Sequence, residues 1–304
     1  MLPKIIIITL NWNGSEDTIE LIKSLKKNTF GDFQIFIVDN NSIPEEVAKL
    51  IQITDTSIQL IKLNENLGFA GGNNFGIKKA LEEEADFILL INNDTIVEPN
   101  FLEPLLGRFK PPERVGIVAP QINYYDKQNI IWSAGGKISA IRGSGFAVSD
   151  KMETEIDYVD KPVGFVSGCC MLVKSDVFRS VGLFDENFFL YAEDTDFCYR
   201  VTKAGYKIFV TPESKIFHKF GQSTKETYST LPLYYTTRNR LYFSRKNFPL
   251  IFPLTVFYIS ASMILKCIYW IITSKRRNIS AVFRAFNDFI AGTMGKVEHN
   301  YFVD

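Results

Sequence analysis

Phe87-Ile88-Leu89-Leu90-Ile91-Asn92-Asn93-Asp94 runs five apolar residues straight into two amides and an acid. A short, unbroken apolar run of this kind reads as a strand covered on both faces, the usual state of a strand in a parallel sheet. The polar residues at its exit then fall where such a sheet gathers its ligands. Working outward, the same form recurs. Strand signals cover 4–10, 34–38, 58–63, 86–91 and 115–118, and helix-like segments lie between them at 16–28, 44–52, 72–84 and 98–109. In 16–28, Ile19, Ile22 and Leu25 sit at helical spacing with lysines opposite. This order predicts an α/β fold, a mostly parallel sheet with helices on both faces.

Beyond Ala119 the pattern loosens. Residues 121–161, with Gly135-Gly136 and Gly143-Ser144-Gly145, read as a hairpin or loop excursion over the site. Gly164 to Val173 reads as a strand pair, or a strand entering a tight turn, and Ser175 as the cap of a short helix through Val181. A helix is expected from Glu193, with Phe197, Val201 and Ala204 inward and Gly205 ending it. From Gly221 onward the composition changes. Thr237 to Lys246 is basic and amphipathic, Pro249 and Pro253 interrupt the chain beyond it, and Leu254 to Thr273 is almost wholly apolar apart from Lys266. Residues 1–220 are therefore expected to form the catalytic domain and 221–304 a basic, aromatic, helical appendage. Within the former, 1–120 and 121–220 form two halves.

A hydrophobic content of 46% excludes a disordered chain. The formal net charge of zero conceals an asymmetry: residues before Gly221 hold 23 Lys and Arg against 30 Asp and Glu, and those from Gly221 on hold 11 against 4. A basic, aromatic tail suits an anionic surface, and its long apolar run points to lipid rather than nucleic acid. Cys169, Cys170, Cys198 and Cys267 make no CxxC pair, so neither a disulfide framework nor a zinc site is expected. Reduced, mostly buried thiols in a cytosolic setting are expected, and Ile5 to Leu10, too short for a signal-peptide core, reads as a central parallel strand.

Four segments carry the chemistry. Asp39, at the end of the second strand, offers a carboxylate to a pyrimidine N–H, or else forms an Asx turn with Asn40, Asn41 and Ser42. In Asn66-Leu-Gly-Phe-Ala-Gly71-Gly72-Asn73-Asn-Phe-Gly76, small residues open a helix whose N-terminus favours a diphosphate. The glycine spacing differs from a dinucleotide fingerprint and follows the third strand rather than the first, which weighs against a nicotinamide enzyme. Asp94 is placed for a divalent cation, or caps a turn before Pro99. Glu193, Asp194 and Asp196 crowd a helix start beside Leu190, Tyr191 and Phe197. There they either stabilise the dipole or hold a carboxylate of raised pKa fit to act as a base. His218 ends an alternating strand, as a structural histidine or a metal ligand. Trp132 is a sugar-stacking platform or core.

Together these segments resemble the family 2 inverting glycosyltransferases of GT-A fold, most closely the bacterial rhamnosyltransferase-like branch of polysaccharide assembly. The resemblance rests on Thr9-Leu-Asn-Trp-Asn13, Val38 to Ser42, Asn66 to Gly76, Asn92-Asn-Asp94, Gly168-Cys-Cys-Met171, Tyr191 to Asp196 and His218. It implies that Thr9, Asn11 and Asp39 hold the donor nucleotide, with Asn66, Gly71, Asn73 and Asn93 also on the donor side. It implies that Asp94 binds Mg²⁺ or Mn²⁺ with the sugar diphosphate, helped by His218, and that Asp194 is the base. Gly168, Cys169, Glu193 and Trp132 fall on the acceptor side. Asn92 stands where a two-acid DxD motif has its first Asp, leaving one carboxylate for the metal.

The expected partners are a nucleotide sugar, a glycan or lipid-linked acceptor and the cytoplasmic face of the plasma membrane, bound peripherally or monotopically. Homo-oligomerisation is left open. Two rivals remain: a nucleotidyltransferase, which would show a basic Gly-rich loop after the first strand where Leu10-Asn-Trp-Asn-Gly14 has none, and a non-catalytic glycan-assembly subunit.

Overall fold

Short β-rich runs and amphipathic segments alternate in the first half as β1 (Ile5–Asn11), α1 (Ser15–Leu25), β2 (Gln34–Asp39), α2 (Pro44–Ile51), β3 (Ile58–Lys62), α3 (Gly68–Glu82), β4 (Phe87–Asn92), β5 (Thr95–Val97) and α4 (Leu102–Gly107). The second half continues with β6 (Val115–Tyr124), β7 (Ile131–Ser133), β8 (Gly136–Ser139), β9 (Ser144–Ala147), β10 (Cys170–Lys174), α5 (Ser175–Val181), α6 (Glu193–Lys203) and β11 (Lys207–His218). Helices α7 (Leu231–Asn247), α8 (Phe252–Ile272) and α9 (Arg276–Ala291) complete the order. The computed structural model describes residues 2–147, 161–219, 230–273 and 275–297.

The main sheet runs β3-β2-β1-β4-β10-β6-β11-β5, with β7 added on β6. The first four strands are parallel. β10 is antiparallel to both β4 and β6, so the sheet is mixed rather than continuously parallel. Helices cover both faces. On β1, Ile6 and Ile8 face a core shared with α3, α5 and α6, while Ile5 and Ile7 face one shared with α1, α2 and α4. Each of these four isoleucines is at most 1% exposed, and burying such a side chain contributes roughly 1.5–3 kcal/mol. Alternation of buried side chains on two covered faces is why the strand reads as a continuous apolar run.

Register fixes what meets at the carboxyl edge. Asn11 lies opposite Asp39 across β1 and β2, and Leu10 opposite Asn92 across β1 and β4. The neighbouring α1 begins at Ser15 without a cap of its own. Glu46 supplies one, accepting from the Ser15 N–H at 2.9 Å and hydroxyl at 2.6 Å. These bonds, with Lys49, hold its carboxyl down to about 2.

Several expectations change. α3 starts at Gly68, four residues before the expected position, and the segment expected as a helix over 98–109 resolves into a helix only over Leu102–Gly107. Ser175 is the first residue of α5, and its hydroxyl caps nothing. Ala204 lies beyond the last turn of α6 and is exposed, whereas Phe197 and Val201 are buried as expected and Gly205 ends the helix at φ +82°. The expected strand at 163–173 forms only from Cys170. The excursion does form a hairpin, β8–β9, but its continuation over 148–160 lies outside the described residues. All four cysteines are free thiols.

The C-terminal helices pack together and onto the chain before them. α7 packs against α8 and α9 and also against the loop before α6. Its basic residues divide: Arg238 is fully buried and Arg240 half-buried, whereas Arg245 and Lys246 are exposed, Lys246 still pairing with Asp185 and Asp196 at 2.8 and 2.9 Å. Pro253 lies in the first turn of α8, where a missing N–H costs nothing, and so starts that helix rather than interrupting it.

Candidate active site

At the end of β1, Asn11 is fully buried and its amide is fully engaged. It donates to Asp39 at 2.8 Å and to the Ser42 hydroxyl at 3.0 Å, and accepts from Thr18 at 2.8 Å. Asn11 therefore positions Asp39. The Asp39 carboxylate also takes the Ser42 hydroxyl at 2.5 Å and the Ser42 N–H at 3.1 Å. The Asx-type turn is real, and the second oxygen, with one bond accepted, retains capacity for a ring N–H. Thr9 is fully buried, and its hydroxyl has no hydrogen-bond partner. Asn93 ties β4 to α1, donating to Gly14 O at 3.2 Å and to Thr18 at 3.1 Å.

The glycine run behaves differently from its expected phosphate role. A Cβ on Gly72 would stand 2.4 Å from Leu10, and one on Gly76 would stand 2.8 Å from Ile8, so these glycines seat α3 on the sheet. A Cβ on Gly71 would press on Leu67. The first N–H groups of α3 are already taken. Asn66 Oδ1 accepts from Gly68, and the Phe189 carbonyl accepts from Phe69 at 2.7 Å and Ala70 at 3.3 Å. Asn66 also accepts from Asn40, and Asn73 bonds back to Phe69 O. A helix N-terminus closed in this way offers little to a diphosphate.

Asp94 and His218 meet as expected, carboxylate to imidazole at 3.2 Å, both largely buried. Trp132 packs edge-on against His218 at 4.6 Å between ring centres, so the structure places it with this pair and against the core. Cys169 is buried, and burial pushes its thiol up. Its carbonyl accepts from Asn92, which joins the start of β10 to the end of β4.

The same junction carries the acid pair. Asp194 accepts from the Gly168 N–H at 2.9 Å and the Thr195 N–H at 2.6 Å. A Cβ on Gly168 would sit 3.2 Å from Phe69 and 3.4 Å from Asp194, so the missing side chain lets the acid close on this backbone. Burial raises Asp194 against those two bonds, and raises Glu193 well above the ordinary carboxylate range with help from the Asp194 charge. Glu193 Oε2 is buried without a hydrogen-bond partner. The third acid is different: Asp196 is fully buried among Arg200, Lys246 and Asn247, and anchors α7 to α6.

Directly before the pair the backbone is contorted. Phe189 (φ +61°, ψ −58°) is the centre of a γ-turn closed by Leu190 N–H to Phe188 O at 2.7 Å, a rare and strained geometry. Tyr191 and Ala192 come next at φ +70° and +75°. Non-glycine residues in such regions cost on the order of 1–3 kcal/mol each and persist only where their surroundings over-determine them. Sequence reasoning missed this turn and the side chains around it. Nothing local in Asn187 to Tyr191 calls for left-handed backbone, and Asn74, which joins α3 to Phe184 and Glu186, had looked like part of the glycine run.

A family model described as "Glycosyl transferase family 2" matches residues 4–182. A hexosyltransferase of low-salt glycan biosynthesis from Haloferax volcanii is 27% identical over 82% of this chain and 78% of its own. An N-acetylglucosaminyl-diphospho-decaprenol L-rhamnosyltransferase from Mycobacterium tuberculosis is 25% identical over 72% and 76%. A dTDP-rhamnosyl transferase from Shigella flexneri is 27% identical over 75% of each. Among solved structures, a Pyrobaculum calidifontis mannosyltransferase in complex with GDP-Man and Mn²⁺ superposes with a TM-score of 0.59 at 10% identity, over 95% of this chain and 88% of that one. The structure of GalNAc-T7 with UDP, GalNAc and Mn²⁺ gives 0.59 at 17% identity, over 71% and 44%. These two likenesses establish the GT-A fold.

Proposed function

The chain belongs to glycosyl transferase family 2, and from that premise we propose that it transfers a sugar from a nucleoside-diphosphate donor to a hydroxyl of a lipid-linked glycan, inverting the anomeric centre. The observation that carries the reading is the half-buried Asp194 carboxylate, held by two N–H groups at the sheet edge where β4 and β10 meet. Asp194 takes the proton of the acceptor hydroxyl as that oxygen bonds to the anomeric carbon from one face and the diphosphate departs from the other. No second carboxylate is needed as a nucleophile, so configuration inverts, by the logic of inverting glycoside hydrolysis. Asp39 receives the base of the nucleotide, with Asn11 and Ser42 fixing its orientation.

Asp94 and His218 fit a divalent cation. Asp94 Oδ1 is buried with no aligned hydrogen bond, and carboxylate plus imidazole is a donor set that Mg²⁺ or Mn²⁺ completes with phosphate oxygens and water. Among the described residues no group of three or more His, Cys, Asp and Glu could hold a metal, so two protein ligands are what this site supplies. When bound, the cation neutralises charge on the departing diphosphate. The Mn²⁺ in both structural relatives supports the same reading. A panel of nucleotide sugars with and without Mn²⁺, read by thermal shift and transfer, tests the function. The dTDP-rhamnose donor leads that panel because of the Shigella relative. Absence of any stabilising donor would sink the reading.

The acceptor places the enzyme at the cytoplasmic membrane face. Supporting this, α8 is long and apolar enough to cross a membrane, yet only 22% of its apolar window is buried, which argues against a core helix. Leu254, Phe257, Ile264, Leu265, Ile268, Ile271 and Ile272 are all exposed, and basic Lys275, Arg276 and Arg277 lie just beyond them. Lys266 lies exposed within this stretch, which suits a helix lying in the interface with its ammonium snorkelling outward. Replacing Leu265 and Ile268 together by Glu removes two exposed anchors that would bury in lipid, worth roughly 1.5–3 kcal/mol each. Flotation on phosphatidylcholine–phosphatidylglycerol vesicles should then fall at least about a hundred-fold with donor binding unchanged. Undiminished flotation of the double variant would refute this mode of attachment.

A further inference from the structure

The turn from Phe188 to Ala192 delivers Glu193 and Asp194, and its backbone partners come from two remote elements. Phe189 O closes the N-terminus of α3, through Phe69 and Ala70. The carbonyls of Phe188, Leu190 and Tyr191 all face one side chain on α7. The two N–H groups of Asn239 Nδ2 are shared among three carbonyls, Phe188 O at 2.9 Å, Leu190 O at 2.9 Å and Tyr191 O at 2.8 Å. Arg238, fully buried beside it, reaches Phe188 O at 3.4 Å and fixes the Asn239 amide by donating to its oxygen at 3.1 Å. The Phe189 ring stacks on Tyr235 of the same helix, with centroids 5.4 Å apart and planes 23° apart. Gly68 completes the fit, because a Cβ there would stand 2.4 Å from Phe189 O.

A backbone held at three unfavourable positions within four residues, Phe189, Tyr191 and Ala192, springs back unless its carbonyls are held. One amide facing three of them is therefore a constraint on where the next helix begins, and so on where Asp194 points. We propose that Asn239 is a positioning residue for transfer, gathering the carbonyls of 188, 190 and 191 so that Asp194 is held at the reacting hydroxyl. This rests on the reading of Asp194 as the base. Neither the family match, which ends at residue 182, nor the motifs of the first 220 residues reaches this residue.

Asn239→Ala tests it in the full chain. Relaxation of the turn by an ångström lowers kcat about a hundred-fold. Donor affinity stays unchanged, because Asp39, at the end of β2, and Asp94, in the turn between β4 and β5, have no bond to Asn239. Loosening the turn also hydrates Asp194, whose titratable neighbours are Glu193 and Cys198, so the acidic limb of the kcat profile moves to lower pH. Thr237→Val, on the same helix and buried, controls for general loss of packing and leaves kcat and the acidic limb in place. If the alanine variant does not fold, Asn239→Gln, which keeps both N–H donors one methylene out of place, reads the same shift at smaller size. A folded variant with wild-type kcat and an unmoved limb overturns the proposal while Asp194→Asn remains inactive. If Asp194→Asn itself turns over normally, the reading of the base falls and the proposal falls with it. In an Asp194→Asn background, Asn239→Ala has no further effect on kcat.

Discussion

Asp194→Asn is expected to reduce transfer by ~10²–10⁴-fold, the contribution of a positioned base, while the protein still folds and binds its donor. An amide of the same shape can accept from only one of the two N–H groups, at Gly168 or Thr195, that the carboxylate now satisfies. That loss of roughly 1 kcal/mol is offset by no longer burying a charge. The pH dependence gives a second readout. Burial raises the folded-state pKa of Asp194, so between the ordinary carboxylate value and the raised one the folded protein binds more protons than the unfolded chain. Wild-type stability therefore falls as pH rises through that window, and the asparagine variant falls less. Activity runs the other way, rising with pH as the base ionises. Wild-type turnover from a pure Asp194→Asn preparation would end the assignment.

Asp94→Ala is expected to cost at least the 10–100-fold in metal affinity that losing even an outer partner of a metal ligand costs. Calorimetric titration should show donor binding to the wild type weakening on chelation, and binding to the variant already weak and indifferent to chelator. If Asp94 were only a turn cap, the variant would instead lose about 1 kcal/mol of stability with donor affinity intact. The two outcomes do not overlap. His218, 3.2 Å away, should show a smaller change of the same kind when replaced.

The parallel half of the sheet was legible because Ile5 to Ile8, Ile35 to Val38 and Ile88 to Ile91 are covered on both faces, which leaves an unbroken apolar signature. The acids and amides at those strand ends were legible for the same reason, since the run simply stops at Asn11, Asp39 and Asn92. Direction was not legible. Cys170 to Val173 is as apolar as its neighbours, and nothing in it says that it runs antiparallel to β4. The glycines of α3 were misleading because close packing on Leu10 and Ile8 demands the same residue as close approach of a phosphate. Arg238 and Asn239 were unreadable for a deeper reason. In a basic amphipathic stretch they look solvated, and their burial depends on a turn near residue 190 whose conformation its own sequence does not announce.

The dependence of that turn on α7 also sets an order in time. Chains are made from the N-terminus, and the parallel half can fold while synthesis continues. A polypeptide that has grown only through α6 holds Asp39, Asp94 and Asp194, but nothing yet grips the carbonyls of 188, 190 and 191. If Asn239 positions Asp194 as proposed, full competence to transfer would wait for residue 239, and the apolar α8 follows directly in the chain. On the proposed role of Asn239, a nascent chain would transfer about a hundred-fold more slowly until that residue is in place, so full turnover would come only as the apolar α8 is being made.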